Sequence, residues 1–260
     1  GVMISHENLL HNSLSLQKVF GLNRDSCSIS WLPSFHDMGL IDGVLQPLIH
    51  GYKGYIMSPI DFIRNPALWL QCIHEYGATH CGGPNFGYES CINSVQESDI
   101  KEVDLSKWES AYNGAEPIRH HTINNFAEKF APFGFQMKSF YPCYGLAEAT
   151  LIVSGGDLYS EPKSIIVDKK SLEQNKFAQL NFGDKGGHFL VSSGYAVPDT
   201  QIKLVEPDTH FESKEGCIGE VWCNGPSMAK GYWKNIETSK EIFDAYIVPD
   251  GFPRNGSPTI

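Results

Sequence analysis

Over roughly its first 150 residues the chain alternates helix-type and strand-type hydrophobic patterns, and this alternation restricts the possible folds more than any other feature. Ser5 is placed to cap a helix running to about Phe20, with Leu9, Leu16, Val19 and Phe20 among its inward positions and Gly21 as its stop. A short strand follows over 28–32. Asn65 and Pro66 read as the cap and first-turn proline of a helix in which Trp69, Cys72, Ile73 and Tyr76 share one face, and Gly77 ends it. The next strand covers 79–81, and a helix begins near Asn85 with Tyr88, Cys91, Ile92 and Val95 on one side. Pro117 opens a third helix, with Ile123, Phe126, Ala127 and Phe130 inward and Pro132 beyond its end. Strands alternating with helices predict an α/β fold, a mostly parallel sheet covered on both faces.

The pattern changes after Gly156. Residues 157–187 are polar, with short apolar runs such as Ile165-Ile166-Val167. From 188 to 224 short strands and turns follow: Ile202 and Leu204 share a face, Glu206-Pro207-Asp208 marks a turn, and 218–223 reads as a further strand. The expected division is an α/β part at 1–156, a connector at 157–187, a β-rich subdomain at 188–247 and an unassigned tail at 248–260. Hydrophobic residues at 41% and charged residues at 19% suit a folded chain with a sizeable core.

Several classes are disfavoured. The formal net charge of −10 argues against nucleic acid or an anionic membrane as the main partner, although a local site can still bind phosphate. No apolar run approaches the ~18 residues a membrane span requires. Seven cysteines (Cys27, Cys72, Cys81, Cys91, Cys143, Cys217, Cys223) include no C-x-x-C pair, which fits reduced thiols in the cytoplasm rather than zinc or a disulfide framework. The start, Gly1-Val2-Met3, has neither a signal-peptide pattern nor an initiator methionine, as expected of a piece of something longer.

Four segments carry the chemistry. Tyr144-Gly145-Leu146-Ala147-Glu148 follows a strand: the glycine lets backbone N–H groups approach a phosphate, the aromatic ring offers a face to a base, and the carboxylate suits Mg²⁺. A tight turn with a solvated Glu148 is the plainer reading. Asn113-Gly114-Ala115-Glu116-Pro117 lies between a strand and a helix start, where open α/β sheets bind ligands; an ordinary turn is again the alternative. Trp31-Leu32-Pro33-Ser34-Phe35-His36-Asp37-Met38-Gly39-Leu40 places His36 beside Asp37 in a loop, as an acid–base or a structural pair. Gly82-Gly83-Pro84-Asn85-Phe86-Gly87-Tyr88 lacks the Gly-Lys-Ser/Thr ending of a P-loop and equally fits the wall of an apolar tunnel.

Together and in this order, with Gly219-Glu220-Val221-Trp222, Gly225-Pro226-Ser227 and Gly231-Tyr232-Trp233, these segments resemble the signatures of adenylate-forming enzymes. The forms Phe35-His36-Asp37-Met38-Gly39-Leu40, Asn113-Gly114-Ala115-Glu116-Pro117 and Tyr141-Pro142-Cys143-Tyr144-Gly145-Leu146-Ala147-Glu148-Ala149-Thr150 are specifically similar to the fatty acyl-AMP ligase branch. The resemblance covers about 1–247 and implies the large domain of such an enzyme, incomplete.

It implies ATP and Mg²⁺ as cofactors, a fatty acid as substrate, and transfer of the acyl group to the phosphopantetheine thiol of an acyl carrier protein or of a polyketide or nonribosomal synthase carrier domain. His36 would lie near the acyl carboxylate, with Gly83, Pro84, Phe86 and Tyr88 along the acyl pocket. Asn113, Gly114, Ala115 and Glu116 would line one side of the adenine and Tyr144 the other. Gly145, Leu146 and Ala147 would follow the α-phosphate, and Glu148 would bind the metal. Gly1 would end the phosphate-binding loop. Residues 158–180 fall where this branch carries an insertion absent from acyl-CoA synthetases. The rest of the phosphate loop, a ribose-gripping Asp and the small C-terminal domain with its lysine are missing, so this piece is expected to be inactive alone. An acyl-CoA synthetase and a non-catalytic homologue that only binds nucleotide or acyl chain are the alternatives.

Overall fold

The computed structural model describes residues 1–249. Along the chain the strands are β1 (Cys27–Ser30), β2 (Lys53–Ile56), β3 (His80–Gly83), β4 (Ser110–Asn113), β5 (Phe140–Gly145), β6 (Ile152–Gly155), β7 (Ser164–Asp168), β8 (Gln179–Leu180), β9 (Gly187–Val191), β10 (Tyr195–Ala196), β11 (Gln201–Val205) and β12 (Glu220–Asn224). The helices are α1 (His6–Val19), α2 (Gln46–His50), α3 (Pro59–Arg64), α4 (Ala67–Tyr76), α5 (Asn85–Ser94), α6 (His120–Phe130), α7 (Lys169–Leu172) and α8 (Ile236–Phe243), and a π-helical segment spans Met38–Leu45. The main sheet has the order β10-β6-β5-β4-β3-β1-β2. Its strands from β2 to β5 run parallel, and β6 and β10 close the far edge antiparallel. The mostly parallel α/β fold expected from the alternating pattern is therefore present.

The core is aromatic. Trp31 stacks on Phe62 at 4.0 Å, Trp69 meets Trp108 edge-on at 5.1 Å, and Phe126 packs edge-on against Tyr88 and Phe135 at 5.0 and 4.9 Å. A Cβ on Gly83 or Gly87 would stand 2.7 or 2.6 Å from the Trp31 ring, so both glycines are where the indole needs room.

Helix α1 starts as expected: the Ser5 hydroxyl accepts from the Asn8 N–H and the Asn8 side chain returns the bond, a reciprocal cap. Its interior face carries polar residues beside the apolar ones expected. Leu16 and Phe20 are buried and Leu9 and Val19 half-buried, but Asn8, Asn12, Ser13 and Ser15 are buried too, while Leu10 and Leu14 stay about half exposed. Asn12 explains the inversion. Its amide donates to the Ile152 carbonyl (2.9 Å) and accepts from the Ile152 N–H (3.1 Å), so the side chain bonds β6 as a neighbouring strand would. Asn8 does the same service for a loop, donating to the carbonyls of Pro226 and Met228 at 2.7 and 2.8 Å.

Other expectations need correction. Pro117 does not open α6, which begins three residues later at His120. The Asn85 amide holds 117–119 extended: it donates to the Pro117 carbonyl (2.9 Å) and accepts from the Arg119 N–H (3.1 Å). Pro66 is the cap of α4 rather than its first-turn residue, and Tyr76 leaves the buried face to stack on Tyr55 at the surface. On β11, Val205 is buried while Leu204 is exposed, because the two-stranded β11–β12 ribbon packs only its end against the rest. Residues 157–187 are more than a connector: β7, β8 and β9 form their own antiparallel sheet, which crosses the expected boundary at 187. That sheet stacks Phe189 on His120 of α6 (4.2 Å), and Lys176, ahead of β8, forms a separate bridge to Cys217. The tail expected from 248 lies outside the described residues from 250 onward.

Candidate active site

A cleft of about 750 Å³, counting its open mouth, lies at the carboxyl ends of β4 and β5, beside the point where the sheet turns from parallel to antiparallel. Open α/β sheets offer ligand sites at such places because the backbone ends there face a crevice between diverging connections. His36, Ala115, Tyr144, Gly145 and Leu146 line it, together with Asp37, Met38, Cys143 and, deeper, Leu16, Phe20, Asp42 and Tyr112. Three of the four chemical segments thus converge from residues more than 100 positions apart.

Each contributes through a constrained backbone. Past Asn113 the chain turns through Ala115 at φ 66°, a left-handed conformation that costs a non-glycine residue free energy. β5 carries an irregularity at Tyr144/Gly145, and a Cβ on Gly145 would stand 1.9 Å from the Leu151 carbonyl, so only glycine lets the returning chain close there. Thr150, at φ 71°, is pinned by its hydroxyl to the Ser227 carbonyl (2.7 Å). His36 stands exposed at the mouth with Nδ1 2.7 Å from the Asp37 carboxylate, and Asp37 in turn caps the π-helical segment by accepting from the Met38 N–H. Burial pushes the Cys143 thiol up to about 12, so it stays protonated at neutral pH.

Glu148 lies just outside the cleft. Its Oε1 accepts from the Tyr232 hydroxyl (2.5 Å), its carbonyl accepts from the Ala229 N–H (2.8 Å), and Oε2 meets no donor among the described residues. The bond to Glu148 raises the Tyr232 hydroxyl to about 12. The chain start is tied to the same segment: Met3 N–H donates to the Gly231 carbonyl and Trp233 N–H to the Gly1 carbonyl. Tyr232 is the residue that sequence reasoning passed over. It stands in the Gly231-Tyr232-Trp233 segment, but nothing in that motif says that a hydroxyl 84 positions away will hold Glu148.

Other expected site residues fall elsewhere. Gly83, Pro84, Phe86 and Tyr88 do not line this cleft. Tyr88 is a core residue, fully buried with its hydroxyl donating to the Tyr112 carbonyl (2.8 Å), and Phe86 sits edge-on to Trp31 with its outer side exposed. Asn113 is buried with its amide on Asn85, and Gly114 is pressed against Cys143. Glu116 is half-buried beside the cleft without lining it. The Leu146 N–H is committed to the Leu151 carbonyl (3.0 Å), so it is not free for a phosphate.

A parallel sheet with a crevice at its switch point, floored by a glycine-tight strand end and walled by an aromatic ring, defines a nucleotide- or small-molecule-binding α/β protein. The family model described as AMP-binding enzyme matches residues 1–233, and the chain belongs to that family. It is 40% identical over 261 residues (98% of this chain) to the medium-chain-fatty-acid–acyl-carrier-protein ligase JamA of Moorena producens. It is 36% identical over 263 residues (99% of this chain) to the long-chain-fatty-acid–AMP ligase FadD26 of Mycobacterium marinum. The solved fatty acyl-adenylate ligase of Legionella pneumophila, in complex with acyl adenylate and pyrophosphate, superposes with a TM-score of 0.89 at 40% identity over 95% of this chain. The chain spans 44% of the length of each of these three proteins. Among the described residues no helix is long and apolar enough to cross a membrane.

Proposed function

We propose that this chain forms the substrate cleft of a fatty acyl-AMP ligase, in which ATP activates a fatty acid for transfer to a carrier-protein thiol. The observation that carries this reading is the convergence of His36, Ala115 and Tyr144–Leu146 on one cleft at the ends of β4 and β5. The names of the related ligases support it.

A carboxylate is a poor electrophile. One of its oxygens attacks the α-phosphorus of ATP, the bond from that phosphorus to the bridging oxygen breaks, and pyrophosphate leaves. The acyl-AMP anhydride that remains is then open to attack by a thiol, with AMP as leaving group. The protein's work is alignment and charge stabilisation. In this reading the Tyr144 ring stacks on the adenine, Asn113 to Glu116 shape its other side, Gly145 and Ala147 follow the α-phosphate, and His36 at the mouth orients the acid's carboxylate. Glu148 fits a Mg²⁺ ligand: Oε2 is open, and this ion commonly takes one or two carboxylates together with phosphate oxygens and water. When bound, the ion neutralises phosphate charge. Tyr232 holds the carboxylate in place for it.

The test is ATP–pyrophosphate exchange by the protein extended to the length of its relatives, with a panel of fatty acids, then CoA or a carrier protein. Acid-dependent exchange followed by loading of the carrier thiol and not of CoA is expected. Tyr144→Ala should lower exchange about 10-fold or more, from the loss of base stacking worth ~1–3 kcal/mol. Absence of exchange with every acid of the panel would overturn the ligase reading in favour of a non-catalytic binding homologue, and loading of CoA as readily as the carrier would overturn its second half.

A further inference from the structure

The buried polar groups around the cleft fall into two sets. At its inner end they close on one another: Asp42 Oδ1 lies 2.9 Å from His80 Nε2, and the Tyr112 hydroxyl leans on the same carboxylate. Behind the wall formed by 144–152, a single amide serves three pieces of chain. Asn12 of α1 is fully buried and does not itself line the cleft. Besides its paired bonds to Ile152, its Nδ2 donates to the Ala149 carbonyl (3.3 Å) and to the Ser227 hydroxyl (3.1 Å). The Thr150 hydroxyl crosses between the same two segments, donating to the Ser227 carbonyl (2.7 Å).

These contacts form a closed circuit with Glu148. The turn 146–151, pinned by the Leu146 N–H on the Leu151 carbonyl (3.0 Å), ends at Ile152 and carries Glu148. From Ser227 the chain runs on to Ala229, whose N–H donates to the Glu148 carbonyl, and to Tyr232, whose hydroxyl holds the Glu148 carboxylate. The carboxylate and its hydroxyl anchor thus stand 84 positions apart, on two segments whose bases meet at Asn12. Asparagine is a mediocre residue for a helix interior, where a leucine would serve the helix better. A short stem with one acceptor and two donors suits three backbone groups and a hydroxyl. We propose that Asn12 is a positioning residue for the metal side of the site: it fixes the turn that carries Glu148 relative to the segment that carries Tyr232, and so fixes the place of the open Oε2. The inference rests on the reading of Glu148 as a Mg²⁺ ligand, and it adds the residue that orients it.

The experiment is calorimetric titration of the full-length protein with a non-hydrolysable ATP analogue over a range of Mg²⁺ concentrations, a readout that needs no turnover. Glu148→Gln marks the size of the metal effect. Asn12→Leu keeps the shape of the side chain and removes its bonds. The Mg²⁺ concentration for half-maximal binding is then expected to rise about 10-fold, the lower end of what losing a group that supports a metal ligand costs. Thr150→Val trims one hydroxyl and should shift it the same way by less; it decides the matter if Asn12→Leu does not fold. Gln46→Leu controls for the mere loss of a buried amide. Gln46 is equally buried and bonds Ser13 of α1 (2.6 and 2.9 Å), outside the circuit, so this variant should lower the thermal melt and leave the Mg²⁺ dependence unchanged. A shift with Glu148→Gln but none with the deciding variant, or an equal shift with Gln46→Leu, would overturn the positioning role and leave the metal reading intact. No shift with Glu148→Gln would remove both.

Discussion

Tyr88 and Tyr112 are joined by a hydrogen bond from the Tyr88 hydroxyl to the Tyr112 carbonyl, yet they belong to different kinds of interior. Tyr88 looks into the aromatic core, where Trp69, Trp108, Phe126 and Phe140 surround it at ring separations of 5.0–6.4 Å and its one polar atom is bonded. Tyr112 looks toward the cleft, where its hydroxyl leans on the Asp42 carboxylate without well-formed geometry and the neighbouring turn is held at a positive φ on Ala115. One region is closed by its ring contacts; the other keeps a less well bonded hydroxyl and a left-handed turn beside an open cleft. Residue type does not distinguish them, since both are buried tyrosines, Tyr88 on α5 and Tyr112 on β4. What separates them is whether the space beyond the ring is filled by protein.

The largest test of this contrast is in the core. Phe126→Ala should cost about 3–5 kcal/mol in urea unfolding, from lost burial and the cavity left behind. A loss below about 1 kcal/mol would mean that the rings do not form a rigid unit. Next, His80→Ala should cost about 3 kcal/mol, because it strands the Asp42 carboxylate without its donor. Adding Asp42→Asn to that variant should recover part of the loss, and failure to recover would show that His80 acts through packing on Phe20 instead. The sharpest comparison is between the two hydroxyls. Tyr88→Phe should cost about 1–2 kcal/mol, as it leaves a buried carbonyl short of a donor, whereas Tyr112→Phe should change stability by less than about 0.5 kcal/mol. Equal costs would erase the distinction drawn here.

The smallest effect lies on the core side alone, where Glu89 of α5 accepts from Thr122 and Arg119 at the start of α6. These bonds, Thr122 first, hold the Glu89 carboxyl below its ordinary value of 4.5. A depressed carboxyl contributes stability that is present above its unfolded pKa and is lost as the pH falls through its folded one. Thr122→Val should therefore cost about 1 kcal/mol at pH 7, and wild type and variant should converge as the pH is lowered below 4.5. A cost independent of pH would place the role of Thr122 in packing.

The helices whose burial follows hydrophobic period were legible: α4, α5 and α6 carry their expected inward residues, among them Trp69, Ile73, Tyr88, Cys91, Ile123 and Phe126. Legibility failed where a polar side chain substitutes for backbone. Nothing local says that Asn12 will bond β6 like a strand or that Asn85 will hold 117–119 extended, because each amide's partner is brought near only by the fold. The site divides in the same way. His36, Ala115 and Tyr144–Leu146 could be proposed from motifs, because glycine, aromatic and carboxylate spacing is a local property. Tyr232, Asp42 and His80 could not, since their meaning lies in partners 38 to 84 positions away.

By itself, then, the order of residues determined the alternation of strand and helix, the glycines that allow close turns, and the family to which those motifs belong. These depend on backbone geometry and hydrophobic period, which act over a few residues. Which of two adjacent tyrosines would be satisfied, which carboxylate would be anchored and which would be left facing a cleft were decided only by tertiary packing. A hydrogen bond acts over about 3 Å, and only the folded sheet sets which distant groups come that close.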